Sequence, residues 1–284
     1  MIRNYIRYAY RAIIPMIYRR TNYKLFLKHS LIDLDENIRR LALTTDIFPS
    51  VLQPILLKPP LGNSMLVVAP HQDDEIIGCG GAMLLQKIKG KEVHVVFVQD
   101  GGSQHAKRGM TRHEMIRVRK DEAKHVSKIM KIEQPRFLGY AILDKGSVKG
   151  IASALRKEIS RVHADIVFVP FFLDYNQDHQ MTNVALAEAL TGFDRDLRIY
   201  CYEVWGLCVP NTALVIDSVM EEKQDLLYWY KSQTSEADYI NWVTGLNMYR
   251  SGLFPAGTCK YVECFFEMPS CEYLDVVKKI FPMR

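Results

Sequence analysis

Met65-Leu66-Val67-Val68-Ala69-Pro70-His71-Gln72-Asp73-Asp74-Glu75-Ile76-Ile77-Gly78-Cys79-Gly80-Gly81 is the stretch that decides the architecture of this 284-residue chain. It opens as a short apolar run with β-branched residues, the pattern of a buried strand. Pro70 ends that strand, because proline cannot donate to a ladder and restricts the residue before it. Four polar groups then arrive together, where Ile76 onward reads as a helix rich in small residues. In an open α/β sheet this is the carboxyl end of a strand, the place where ligands bind. A histidine and two carboxylates packed there need a partner, since a buried charge is costly alone. A divalent metal is that partner: His71 offers an imidazole and Asp74, three residues on, an oxygen. Asp73 between them is left to take a proton from metal-bound water. The same residues would also serve a plain helix N-cap and polar turn. What tips the balance is a second cluster far along the chain, Asp174-Tyr175-Asn176-Gln177-Asp178-His179.

Outward from the first strand the pattern alternates. Ile76–Lys89 reads as a helix closed by Gly90, and Glu92–Val98 as a β-branched strand running into the glycine-punctuated loop Asp100–Gly109. A charged helix spans Arg112–Lys131, a short strand Arg136–Leu138 and a further helix Ile151–Val162. Asp165–Pro170 is a buried strand that ends, like the first, in proline; Thr182–Leu190 is a helix and Arg198–Val204 a strand. Such alternation gives an α/β fold, a Rossmann-like, mostly parallel sheet with helices on both faces. Residues 64–205 form its core. After Gly206 the pattern loosens, and 206–284 is expected as a smaller C-terminal α+β extension, with a strand near Ala213–Ile216, a helix around Met220–Tyr230 and a strand at Lys260–Met268. Residues 1–63 precede the domain as a basic, amphipathic, helical extension.

The charge is unevenly placed. Residues 1–28 hold seven basic side chains (Arg3, Arg7, Arg11, Arg19, Arg20, Lys24, Lys28) and no acidic one. Removing these from the 37 basic residues leaves 30 against 32 acidic, so the body carries about two net negative charges and is not a nucleic-acid binder with a basic face. Ile2, Ile6, Ala9 and Ile13 form one stripe of the N-terminal helix, which suits either an anionic membrane surface or packing on the domain or another subunit. Six cysteines show no Cys-x-x-Cys pair, which reads as a reduced, cytoplasmic protein, peripheral at the inner membrane face if the N-terminus binds there. Arginines interrupt every candidate signal-peptide core, and no apolar run reaches the ~18 residues of a membrane span.

The two proline-terminated strands each feed a polar loop, and sheet topology can set both loop tips side by side. That brings His179 to the ion with His71 and Asp74. Three protein ligands with one position left for water is the arrangement of a catalytic zinc, one per chain. At this point the sequence resembles the LmbE/PIG-L-like zinc N-deacetylases of N-acetylglucosaminyl compounds. Their opening motif stands here as Pro70-His71-Gln72-Asp73-Asp74-Glu75, followed by Gly78-Cys79-Gly80-Gly81. Asp100-Gly101, Arg119-x-x-Glu122-Ala123, Asp144, Asp178-His179, Lys223 with Tyr230-x-Ser232-Gln233, and Tyr261-x-Glu263-x-Phe265 follow in the same order. The resemblance runs from about Ser64 to Phe266. It implies zinc at His71, Asp74 and His179, Asp73 as general base, and Arg119 and Asp144 holding an N-acetylated amino sugar. Cys79 reads as a packing residue.

Two positions depart from that family. Gln72 stands where proline is usual, which should loosen the turn. Asn176 stands where many relatives carry a histidine that stabilises the oxyanion or protonates the leaving amine. An amide can donate to an oxyanion but cannot supply a proton, so that proton falls to Asp73 or a group such as Asp178. A nucleotide-binding Rossmann module is a poor rival, because no Gly-x-Gly-x-x-Gly follows the first strand. A relative acting on another amide or ester, or binding sugar without catalysis, is the remaining alternative.

Overall fold

The computed structural model describes residues 53–103, 109–235 and 237–282. The expected amphipathic helix of residues 1–28 lies outside them. Eight strands form one sheet: β1 Ile55–Leu56, β2 Ser64–Ala69, β3 Glu92–Gln99, β4 Arg136–Tyr140, β5 Ile166–Pro170, β6 Arg198–Tyr202, β7 Thr212–Val215 and β8 Val262–Pro269. Their spatial order is β1-β7-β8-β6-β5-β2-β3-β4. All pairs are parallel except those of β8, which runs antiparallel between β6 and β7.

β2 is buried at every position, as its unbroken apolar run demands for a central strand covered on both faces. Alternate residues enter different cores. Met65, Val67 and Ala69 face one layer with α1 (Asp74–Ile88), α2 (Arg112–Ile129) and α5 (Met220–Tyr228). Leu66 and Val68 face the other, with α3 (Val148–Arg161), α4 (Gln177–Leu190) and α8 (Ser270–Ile280). The sheet with helices on both faces is therefore present as read. Strand order reverses about β2: β3 and β4 extend to one side, and β5 and β6 to the other. A crevice opens at such a switch point, outside the carboxyl ends of the strands.

The C-terminal third contributes α5, α6 (Lys231–Thr234), α7 (Tyr239–Ser251) and α8. Its strands β7 and β8 join the main sheet rather than forming a layer of their own, because β8 pairs with β6 over Arg198↔Pro269 to Tyr202↔Phe265. Ile55 and Leu56, within the stretch assigned to the N-terminal extension, pair with Thr212 and Ala213 at the sheet edge.

α1 packs closely against β6 and, further along, against this addition. A Cβ at Gly78 would stand 2.1 Å from the Tyr202 ring, so only glycine fits there. At Cys79 the helix kinks (φ −146°, ψ 21°). The break frees donors of the second half and an acceptor of the first, as any helix end does. Glu263 from β8 accepts from the Gly81 and Ala82 N–H groups (2.7 and 2.8 Å), while Lys223 of α5 donates to the Ile77 carbonyl (3.0 Å). Lys223 and Glu263 also pair with each other at 2.7 Å, both fully buried.

Candidate active site at the switch point

β2 and β5 are neighbours in register (Met65↔Ile166, Val67↔Phe168), so the segments after Pro70 and Pro170 emerge side by side. The first turns directly into α1, which begins at Asp74, and the second into α4, which begins at Gln177. His179 therefore sits in the first turn of a helix, ahead of the Thr182 start that periodicity suggests. One ligand atom from each of His71, Asp74 and His179 lies within 4.8 Å of the others. The triad expected from the sequence is thus assembled.

Asp74 is the hub. Its Oδ2 accepts from the His71 backbone N–H at 2.9 Å and lies 3.1 Å from His71 Nδ1 and 3.3 Å from His179 Nε2. Burial alone would raise its pKa, but the two imidazoles beside it hold the carboxyl well below the usual range. His179 is completely buried; burial would lower its pKa, yet Asp74 and Asp174 push it up to about 10. Asp174 Oδ2 stands 3.2 Å from His179 Nδ1, but neither ring nitrogen completes a directed hydrogen bond. One buried and one half-buried imidazole around one carboxylate, with the nitrogens of the buried one left unsatisfied, fit a divalent cation, which takes the place of the ring protons and uses those lone pairs. Nitrogen and carboxylate donors in this number suit zinc.

Asp73 is held apart from the triad. Its φ of 143° belongs to the region that favours glycine, a sign of strain in any other residue. Four contacts hold it. Its carbonyl accepts from the Ile76 and Ile77 N–H groups (3.0 and 2.9 Å), and its own N–H donates to Glu75 Oε2 (3.1 Å). Arg119 of α2 lies 3.4 Å from its carboxylate and donates to the Gln72 carbonyl at 2.8 Å. Burial pushes the Asp73 carboxyl up, opposed chiefly by Arg119, to about 7. Glu75 is raised by burial to about 8 against the Tyr230 hydroxyl, which donates to its other oxygen.

Gln72 does not loosen the turn. It is fully buried, and its amide donates to the Gln99 carbonyl at 2.9 Å, stitching the turn to β3. Asn176 is the N-cap of α4: its side-chain oxygen accepts from the Asp178 N–H (2.9 Å), which leaves the amide nitrogen as the end free for a ligand. Asp178 accepts from Gln99 Nε2 (2.9 Å) and lies 3.0 Å from His71 Nε2. Cys79 is fully buried with its thiol on the Glu75 carbonyl and lies outside the metal cluster. The six cysteines are free thiols.

A cavity of about 430 Å³ opens over the cluster, within the range of small-molecule sites. His71, Asp73, Asp74, Arg119, Asn176 and Asp178 line it. Asp144 does not; its carboxylate accepts from the Ser147 N–H (2.9 Å) at the start of α3. No sequence pattern marks Trp205 and Tyr239, which also line the cavity, or Asp174 as the partner of His179. Asp174 stands inside the polar cluster, but only the fold shows that its carboxylate also accepts from the Trp205 and Gly206 N–H groups (3.0 and 2.9 Å).

With this geometry established, comparison with known proteins is informative. Residues 66–190 match the family described as PIG-L: GlcNAc-PI de-N-acetylase. They are a PIG-L-family domain. The matched span covers both polar clusters. Among solved structures, N,N'-diacetylchitobiose deacetylase from Pyrococcus horikoshii is 21% identical, with a TM-score of 0.67 over 85% of this chain and 96% of that one. The deacetylase of the A40926 pseudoaglycone is 17% identical, with a TM-score of 0.59 over 72% and 97%. The 4-carboxy-2-hydroxymuconate hydratase of Pseudomonas putida KT2440 is 22% identical, with a TM-score of 0.57 over 73% and 96%. At these identities the likeness is one of fold, and a hydratase among the neighbours shows that the fold alone does not fix the reaction. No curated protein sequence matches the chain.

Proposed function

We propose that this PIG-L domain is a zinc-dependent N-deacetylase of an N-acetylated amino sugar of the N-acetylglucosamine type, carried in a glycoconjugate or glycolipid precursor. The observation that carries it is a buried His-Asp-His cluster with a strained, cavity-lining aspartate next to it, inside a span matching a family of sugar de-N-acetylases. His71, Asp74 and His179 would hold the ion, which when bound supplies an acidified water and an electrophile for the acetyl carbonyl. The remaining work belongs to side chains. Asp73, fixed by Arg119 and Glu75, accepts the proton of the attacking water. The Asn176 amide, its oxygen committed to the helix cap, donates to the oxygen on which negative charge develops. Asp73 then returns its proton to the departing amine, with Asp178 as the other acid within the cavity. Acetate and a free amino sugar leave.

We assign Arg119, which lines the cavity, a contact to the sugar, whereas Asp144 reaches it only if the Asp144–Ser147 turn shifts. We assign residues 1–28 the part of a membrane-surface anchor of a cytoplasmic enzyme. Among the described residues no helix is long and apolar enough to cross a membrane. Acetate release from free, nucleotide-linked and lipid-linked N-acetylglucosamine, with and without a chelator, tests the activity. Turnover abolished by chelation and restored by zinc is expected; no acetate from any of these would refute it.

A further inference from the structure

Beside the reaction cavity lies a second, mostly apolar hollow of about 70 Å³, and the two share Ile77, Trp205 and Tyr239. Trp242 closes its far side. The three aromatic rings meet edge to face: Trp205 and Tyr239 centroids are 5.8 Å apart, Trp205 and Trp242 6.1 Å, Tyr239 and Trp242 5.5 Å. Edge-to-face packing leaves ring faces open, and Trp242 is 54% exposed, although a tryptophan gains most by burying its large apolar surface. The cluster is also fixed in place, since Asp174 holds the Trp205 backbone and Tyr239 and Trp242 stand on α7. The hollow is too small to take a ring, so the cluster acts as a wall along which a ligand extends from the reaction cavity.

The charge of the surroundings defines the ligand. Asp73, Asp74 and Asp178 line the reaction cavity, and among its described lining residues Arg119 is the one arginine or lysine. One nitrogen of that guanidinium, Nη2, is shared between the Gln72 carbonyl and the Asp73 carboxylate. Among the described lining residues a phosphate beside the sugar would meet three carboxylates and a single guanidinium, whereas a neutral ring with apolar C–H faces would lie against the aromatic wall.

We propose that Trp205, Tyr239 and Trp242 form the subsite for the group attached to the acylated sugar, and that this group is uncharged and presents a flat apolar face. This rests on the N-deacetylase reading. A second pyranose and an aryl group share that chemistry, so both enter the test. The probes are the methyl glycoside, the 4-nitrophenyl glycoside, the 1-phosphate and the β-1,4-linked disaccharide of N-acetylglucosamine. kcat/KM for the neutral ring-bearing probes should exceed that for the methyl glycoside by about two- to tenfold, the worth of an aromatic contact, and the gain should sit in KM. Whichever of aryl and disaccharide gains more identifies the source. Trp242→Ala should bring the ratio to about one, and Trp242→Phe should keep it. The 1-phosphate should be the poorest substrate. A ratio that survives Trp242→Ala, or a preferred 1-phosphate, overturns the proposal. If no probe is hydrolysed, the deacetylase reading fails, and calorimetric binding of the same probes to the zinc-loaded protein still decides the subsite. Equal affinity for aryl and methyl glycosides would then rule it out.

Discussion

Replacing Lys223 by methionine should destabilise the protein far more than removal of one lysine ordinarily does. Lys223 Nζ donates to Glu263 (2.7 Å), Asn247 Oδ1 (3.1 Å) and the Ile77 carbonyl (3.0 Å), and no part of it reaches solvent. Methionine fills the space of the stem but supplies none of these donors. Glu263 would keep the Gly81 and Ala82 N–H groups while losing its counter-charge, and two buried acceptors would go unmet. Breaking a buried pair from one side costs about 3–5 kcal/mol. At ~2–4 °C per kcal/mol for a domain of this size, the melting temperature should fall by roughly 10 °C. The control is Lys124→Met. Lys124 lies 3.9 Å from Asp121 with both side chains more than half exposed, where a pair is worth less than ~1 kcal/mol. Thermal and urea unfolding followed by circular dichroism measure both. The double variant Lys223→Met/Glu263→Gln should recover part of the loss, because no uncompensated charge is left inside. A Lys223→Met variant within ~1 kcal/mol of the native protein would refute the view that this pair holds the broken helix together.

The site gives sharper outcomes. His71→Ala and His179→Ala should each bind zinc far more weakly while leaving the fold intact, as read by metal analysis after dialysis; full retention in either would remove that residue from the ligand set. Asp73→Asn should keep zinc and lower turnover by about 10²–10⁴, the range for a lost general base; an equally active variant would remove Asp73 from the chemistry. Deleting residues 1–28 should abolish salt-sensitive binding to anionic vesicles and leave soluble-substrate turnover intact, whereas unfolding or aggregation on deletion would assign the segment to structure.

What could be read from the chain alone divides along physical lines. β2 and β5 were legible because a strand covered on both faces must be apolar throughout, and each ends in a proline. The two polar clusters were legible because each follows such a strand, and the second weighs against a mere helix cap at the first. The start of α4 was misjudged: Gln177-Asp178-His179 carries no apolar periodicity, its first turn being occupied by site residues. β8 could not be placed by pattern, since antiparallel insertion between β6 and β7 depends on partners 47 or more residues away. Gln72 misled for a related reason. A proline's absence suggests freedom, but the Gln99 carbonyl that restrains this glutamine belongs to the neighbouring strand. Arg119 was expected at the ligand and is also a clamp on the turn.

Asp73 has one more consequence, which concerns how the sequence persists. Its backbone occupies a conformation that glycine reaches freely and other residues reach at a cost of roughly 1–3 kcal/mol. A change to glycine here would relieve that backbone strain, but it would also take the carboxylate from the buried Arg119 guanidinium 3.4 Å away. If catalysis is what holds this aspartate in place, a population relaxed from that demand should lose Asp73 before it loses the buried residues of β2.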